Sequence, residues 1–524
     1  MSRELRKINA FFYVFLFLFS FSFNFFYANL GVFPIDTFAF FDTGYNILLD
    51  RHPFKDIWVT TGPVVDYLQA FFFKIFGLNW TSYVIHSSLL NGFLSVFFYS
   101  TLIRFNLNRY LSLFYSLSLS ILAYTISGTP FAYIHSYVFS LISMLIFFHC
   151  IKFKSKISFF FLPLFIFLAF FSMQNPSTFM GANILIFLLI YFYYNFDSRL
   201  LIILLIGSIS TIILFLIYLN LTKTPIENIW IQYFLFPLSI GENRIIGNEL
   251  AHISLAGRST FRNILGHFKF IDFYIVLFLI ITIKEALNKK LLQQDFIINS
   301  SLILLSVSLI FNQLITSNQT FIFSMIPFLG AFFHIYFKKK HPNFIKTQLF
   351  LILIILFCTI KYHSEYNTKR KFMDLQNKNL KSFISGSYLH EKFKYLKWIT
   401  PNFNGTPKEE LTLINEAAKY IKEEKRSKML LTDYQFFSLL LEENLNIPNR
   451  WYTHDNNSYP LKGHKYFVFY KEHLNKIIKN KNVKVIFTVG SPDFKKYQDY
   501  LINSCFNEIK INELTKSYVM KNCK

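Results

Sequence analysis

The sequence predicts an α-helical polytopic membrane protein that carries a small α/β domain at its C-terminus. Three observations lead there. The 524-residue chain is 53% hydrophobic and only 16% charged, whereas a soluble protein of this size is about a quarter charged. Apolar runs of about 20 residues, the length that crosses a bilayer, recur over the first 361 positions. After residue 361 the chain turns polar and changes its period.

The apolar runs predict about eleven spans, at 9–30, 82–103, 110–127, 133–151, 157–173, 177–194, 200–220, 270–286, 296–316, 320–337 and 344–361. The first follows the basic start MSRELRK, is too long for a signal-peptide core and has no small-residue cleavage site after it, so it reads as a retained anchor. The links between spans alternate in character. NLNR, KFKSK, NFDSR, KEALNKK and KKKHPN are basic, while GTPF, MQNPS and TSNQ hold no Lys or Arg. Basic links belong on the cytoplasmic side. That places the N-terminus inside a bacterial plasma (inner) membrane, and the loops 31–81 and 221–269 and the tail 362–524 outside it. Within the tail, EELTLINEAAKYIKEE has the period of an amphipathic helix, and KMLLTDYQ and VKVIFTVGSPD read as short buried strands ending in turns.

The remaining composition excludes more than it assigns. The net charge of +23 is dispersed among short links and the tail. No run joins basic residues to stacking aromatics as a nucleic-acid groove would, so no nucleic-acid partner is expected. The 69 Phe residues rise together with Ile, Lys, Asn and Tyr, as in an AT-rich genome. Cys150 and Cys358 fall in apolar runs, while Cys505 and Cys523 lie in the tail, either as a disulfide or as two thiols.

The loop 31–81 is the unusual element. Directly after the first span it carries Asp36, Asp42, Asp50, Asp56 and Asp66. TFAFFDTGYNILL can form a helix with Phe38, Phe41, Tyr45, Leu48 and Leu49 on one face, suited to lie on the membrane plane. VVDYLQAFFFKIFG can form a second such helix, with Pro63 at its first position.

Span one, Ile35-Asp36, Gly44-Tyr45, His52-Pro53-Phe54 with Asp56, and Gly62-Pro63 before an amphipathic helix and span two form a series. This series resembles the first outer loop of the GT-C glycosyltransferases, such as the protein mannosyltransferases and the lipid A aminoarabinose transferases. Those enzymes take a sugar from a polyprenyl phosphate, and an acid in this loop serves as the catalytic base. Members often show an Asp-Glu pair, then Pro-Tyr or Pro-Phe, then Pro-Pro-Leu. Here Asp36 matches the acid, Pro53-Phe54 the middle element and Gly62-Pro63 the last. Thr37 stands where the second acid is usual, and Gly62 replaces the first proline. The missing acid leaves no certain cofactor, with a divalent cation as an option and no metal ligand assigned. The resemblance covers roughly the first 200 residues in pattern and topology and implies a GT-C-like catalytic domain over 1–361, with an extracytoplasmic domain over 362–524.

The chemistry agrees with this topology. An outward-facing transferase needs a lipid-linked donor, and its acceptor hydroxyl must lose a proton as it attacks, which one nearby carboxylate can take. Asp36 is the expected base, although its place after Pro34-Ile35 also suits a helix N-cap. Asp42 is the second catalytic candidate, on a different face of an ideal helix. Tyr45, Asp56 and Asp66 are candidate substrate contacts, and Asp50 reads as a solvated helix-end charge. Arg244 and Arg258, in a loop that also holds His252 and Arg262, are candidate grips for the lipid phosphate. Gln174 and Asn175 follow Met173, where relatives often carry a Lys, and are candidates to orient the donor; the alternative is a plain turn before Pro176. Asn312, Gln313, Asn318 and Gln319 can line a cavity or bond between helices. The acceptor is a lipid, glycan or protein.

The rivals are a polysaccharide polymerase or ligase, a membrane transporter and a non-catalytic scaffold. A transporter is expected to place charges at mid-membrane, and no Asp or Glu falls in the middle of an expected span.

Overall fold

The computed structural model describes residues 3–247, 254–288, 294–316, 322–341, 343–453, 457–502 and 504–522. His252, Asn318, Gln319 and Cys523 lie outside the described residues. The protein is mostly helical, with a small sheet near the C-terminus.

A long helix occupies each of the eleven apolar runs, from Arg3–Ala28 and Trp80–Arg104 to Met325–Lys340 and Ile345–Tyr362. Seven segments are long and apolar enough to cross a membrane: Ala10–Ala28, Ala132–Phe153, Gln174–Tyr194, Ser198–Thr222, Phe261–Leu287, Gln294–Thr316 and Ile345–Met373. Of the other four helices, Arg109–Leu122, Lys156–Phe170 and Met325–Lys340 have 14, 15 and 16 residues. The helix Trp80–Arg104 has the length but not the hydropathy, because it carries a row of Ser, His and Asn that turn inward. The helix Ala132–Phe153 is buried from Ala132 to Ile151. By contrast Ser198–Thr222 leaves Ile202, Ile209 and Ile212 more than half exposed, as a lipid-facing helix would.

Two of the basic links meet on one acid. Asp295 takes Lys152 Nζ on one oxygen at 3.0 Å and Lys339 Nζ on the other at 2.5 Å. The helix Phe261–Leu287 begins before the expected span 270–286 and so draws one acid inside it. Asp272 lies within the helix Phe261–Leu287, partly buried, with one carboxylate oxygen that has no hydrogen-bond partner among the described residues.

The tail forms the expected α/β unit. A two-stranded ribbon of β1 (Ile384–Ser385) and β2 (Lys397–Trp398) precedes the helix Pro407–Glu423. A four-stranded sheet of β3 (Lys428–Thr432), β4 (Val485–Val489), β5 (Ser504–Lys510) and β6 (Thr515–Asn522) follows in the order β3-β4-β6-β5. Strands β3 and β4 are parallel, and the other two pairings are antiparallel. All residues of β3 and β4 are buried, as parallel strands covered on both faces require. The helix Pro407–Glu423 starts on a capping box between Thr406 and Glu409.

The loop 31–81 does not lie free on a membrane plane. Its first long helix, Ala39–Leu48, is buried from Ala39 to Asn46. Phe38, just before it, packs on Trp398 and Phe436 of the tail with ring centroids 5.8 and 4.8 Å apart. A single apolar core runs through Val32, Phe38, Phe41, Trp58 and Trp80 into the tail's Trp398, Leu430 and Ile486. The amphipathic pattern identifies a face to bury but not what buries it, and here the tail supplies that cover. Backbone bonds add to the join, because Val32 N–H donates to Ile399 O at 3.0 Å and Trp58 N–H to Pro448 O at 2.7 Å. The second helix, Val64–Phe76, does keep an apolar edge, with Phe71, Ile75 and Phe76 exposed.

Candidate active site

Asp36 sits in a single turn of helix, Pro34–Thr37, that ends the first long helix's approach to the tail. Proline opens this turn with its φ preset. Thr37 Oγ1 accepts from Phe33 N–H at 2.9 Å and ties the turn closed. Asp36 caps neither this turn nor the next helix; those places belong to Phe33 and Phe38. Its side chain is therefore free of the local duty that its position suggested. Burial raises the Asp36 carboxyl from 3.8 to about 7, the charge of Asp374 adds to the rise, and the nearby Trp451 indole N–H pulls it back. The indole favours the ionised form from a distance, without a properly formed hydrogen bond. Asp36 is partly exposed, and its neighbours Phe33, Pro34 and Ile35 line a cavity of about 320 Å³.

Asp42 has a different setting. It is fully buried, and its carboxylate accepts from Ser438 Oγ at 2.9 Å and from Leu439 N–H at 3.2 Å. Burial raises it to about 6, against the pull of those bonds and of Arg51. With both oxygens committed to the helix Phe437–Leu441, Asp42 acts as a tie between loop and tail rather than as a second base.

Asp66 is also spoken for. Thr43 Oγ1 donates to one oxygen, and Arg450 Nη2 donates to the other at 2.5 Å, with both charged side chains shut off from solvent. Arg450 also donates to Thr61 Oγ1 and lies over the Phe40 ring, 4.5 Å from its centroid. Asp56 accepts from His52 N–H at 3.0 Å, its backbone carbonyl receives Arg51 Nη2 at 3.2 Å, and Tyr45 is buried. These bonds hold the first loop in shape.

Gly62 stands where a proline could not. Its N–H donates to Ser172 O at 3.1 Å, which a proline could not do. A Cβ at this position would overlap the backbone of Phe171. Gln174 serves the same seam. Its Nε2 donates to Thr60 O at 3.0 Å and to Tyr233 O at 2.7 Å, while Asn175 forms a kink at the start of the helix Gln174–Tyr194.

The two arginines meet, but not on an open phosphate site. Arg258 donates to Leu314 O at 2.6 Å, Ile315 O at 2.9 Å and Arg244 O at 2.5 Å, so it closes the carbonyl end of the helix Gln294–Thr316. Arg244 Nη2 reaches Asn457 Oδ1 at 3.3 Å. Gln313 donates to Tyr133 OH between helices.

Sequence reasoning missed Asp374, Trp451 and Arg450, all in the tail. Nothing near them marks a site, because their importance comes from a fold that returns them to residue 36 or 66. Among the described residues no group of three or more His, Cys, Asp or Glu could hold a metal ion. No family model matches the chain, and a search of curated proteins finds no match.

Proposed function

We propose that this chain is a multi-pass membrane glycosyltransferase of GT-C type that uses a polyprenyl-phosphate sugar, with Asp36 as general base. The observation that carries the reading is the setting of Asp36. It is a carboxylate relieved of capping, with its pKa raised to about 7, on a turn whose Pro34 and Ile35 line a cavity between loop and tail. A base poised near neutral pH combines a usable ionised fraction with affinity for the proton it must take.

In the proposed step an acceptor hydroxyl oxygen bonds to the anomeric carbon. The bond from that carbon to the phosphate oxygen breaks, its electron pair stays on the lipid phosphate, and the hydroxyl proton passes to Asp36. Direct displacement inverts the anomeric centre. In this reading all eleven helices cross the plasma membrane, the basic links around Asp295 face the cytoplasm, and the tail lies outside. The loop 31–81 and the tail act together, because one core joins them.

The test is Asp36→Asn. Transfer should fall by about 10²–10⁴-fold, the usual worth of a general base, while the protein inserts and folds as the wild type does. Unchanged transfer would remove Asp36 from the role. A transporter is the second reading, and Asp272 inside a candidate span is the observation that favours it.

A further inference from the structure

The cavity beside Asp36 belongs as much to the tail as to the loop. Asp433 and Tyr434 follow β3 directly, and Gly490 and Ser491 follow β4; all four line it, opposite Phe33 and Pro34. The carboxyl ends of parallel strands leave a crevice in which α/β sheets commonly bind ligands. A second hollow of about 760 Å³ shares Asn402, Phe403 and Leu514 with the first. The two hollows adjoin at those residues, the first at the turn carrying Asp36 and the second at the start of the helix Pro407–Glu423.

Asp433 gives the first hollow its chemistry. Ser491 N–H donates to Oδ2 at 3.0 Å and the Ser491 hydroxyl donates to the same oxygen. The other oxygen, Oδ1, is buried and has no hydrogen-bond partner among the described residues. A buried acceptor left unpaired is costly, and a ligand donor removes the cost. Burial also raises the Asp433 carboxyl above its usual range. Gly490, at φ +88°, keeps the approach clear: a Cβ there would lie 3.1 Å from the Tyr434 ring and 3.4 Å from Asp433 Oδ2. The Tyr434 ring is pinned from behind, because its hydroxyl donates to Glu410 at 2.8 Å, and Glu410 also takes Trp398 Nε1 at 2.9 Å and Thr400 Oγ1 at 2.8 Å.

A carboxylate oxygen, an Asn amide and the aromatic side chains of Phe33, Phe403 and Tyr434 suit a ligand that carries both hydroxyl groups and C–H faces. A peptide strand has less to recognise. The outer edge of β3 is already taken, since Leu430 N–H donates to Leu445 O at 3.0 Å. We propose that these adjoining hollows hold the acceptor as a glycan chain, with an acceptor hydroxyl donating to Asp433 and the growing end leading to Asp36. The proposal rests on the glycosyltransferase reading and narrows its acceptor from lipid, glycan or protein to glycan.

The test uses the full chain in lipid nanodiscs on a printed array of bacterial surface oligosaccharides, with a random-peptide array beside it. Wild type and Asp36→Asn should both retain a defined subset of the oligosaccharides. Asp433→Asn and Gly490→Val should weaken that binding at least tenfold, at unchanged elution volume and melting temperature. Phe403→Ala replaces Gly490→Val if the latter does not fold. No glycan retained, peptides retained instead, or glycans held equally well by the Asp433, Gly490 or Phe403 variants would each overturn the proposal. Because binding is read in Asp36→Asn as well, a wrong base assignment shows only in the transfer assay and leaves the array result intact.

Discussion

Arg450 Nη2 donates to Asp66 Oδ2 across 2.5 Å, with neither side chain reached by solvent. The pair joins the second helix of the first loop to a segment 384 positions later, and Thr43 and Thr61 complete it from two further points of the loop. Burial pushes Asp66 up and Arg450 down, and each draws the other back toward its charged form. The pair is a clamp that makes loop and tail one unit.

Breaking that clamp from one side leaves an uncompensated buried charge. Asp66→Ala or Arg450→Ala should each cost about 3–5 kcal/mol. The double variant should lose less than the two singles added together. Thermal melts in one detergent, with limited proteolysis of the tail, measure it; additive losses would show that the two groups do not depend on each other.

Asp42 should make stability fall with rising pH. Its folded pKa is raised from 3.8 to about 6, so the folded state holds its proton more tightly than the unfolded chain. The advantage is full below about pH 4 and is lost as pH rises through about 6. A shift of that size is worth about 3 kcal/mol. Urea titrations across this window should show a steeper decline for wild type than for Asp42→Asn, and parallel curves would contradict the assignment.

Asp36 must be ionised to act as base, so transfer should rise as pH increases through about 7 and drop about tenfold per unit below it. Asp374 adds to the raised value and the Trp451 indole opposes it. Asp374→Asn should therefore move the acidic limb of kcat/KM to lower pH, and Trp451→Phe should move it higher. A limb that moves the opposite way, or not at all, would show that the substituted group does not act through Asp36.

Gly62→Ala should destabilise the seam where the loop meets the link after Phe171. The added Cβ overlaps the Phe171 backbone, and overpacking of this kind costs about 1–3 kcal/mol. A melting temperature equal to wild type would mean that the seam gives way freely.

Much of the fold was legible because its signals are local. Apolar runs placed eleven long helices, and the strands at 428–432 and 485–489 showed as short apolar segments before turns. The helix Val64–Phe76 starts just after Pro63, which stands at its N-cap rather than at the first helical position that the pattern suggested. What the sequence could not supply was the partner of each face. Phe38 and Phe41 form a stripe equally suited to lipid or to protein, and only the fold shows that the tail covers them. The same holds at the site. Asp36, Asp42 and Asp66 are alike as letters in one loop. Their different surroundings come from Asp374 with Trp451, from Ser438 with Leu439, and from Arg450. Arg258 showed its charge in the sequence but not the three carbonyls that occupy it.

The most direct measurement is mass spectrometry of surface glycans from a deletion strain carrying either the wild-type gene or Asp36→Asn, with both proteins present in the membrane at equal level. The account predicts that one sugar disappears on deletion, returns with the wild type and stays missing with Asp36→Asn. A sugar restored by Asp36→Asn, or glycans that do not change on deletion, would contradict it.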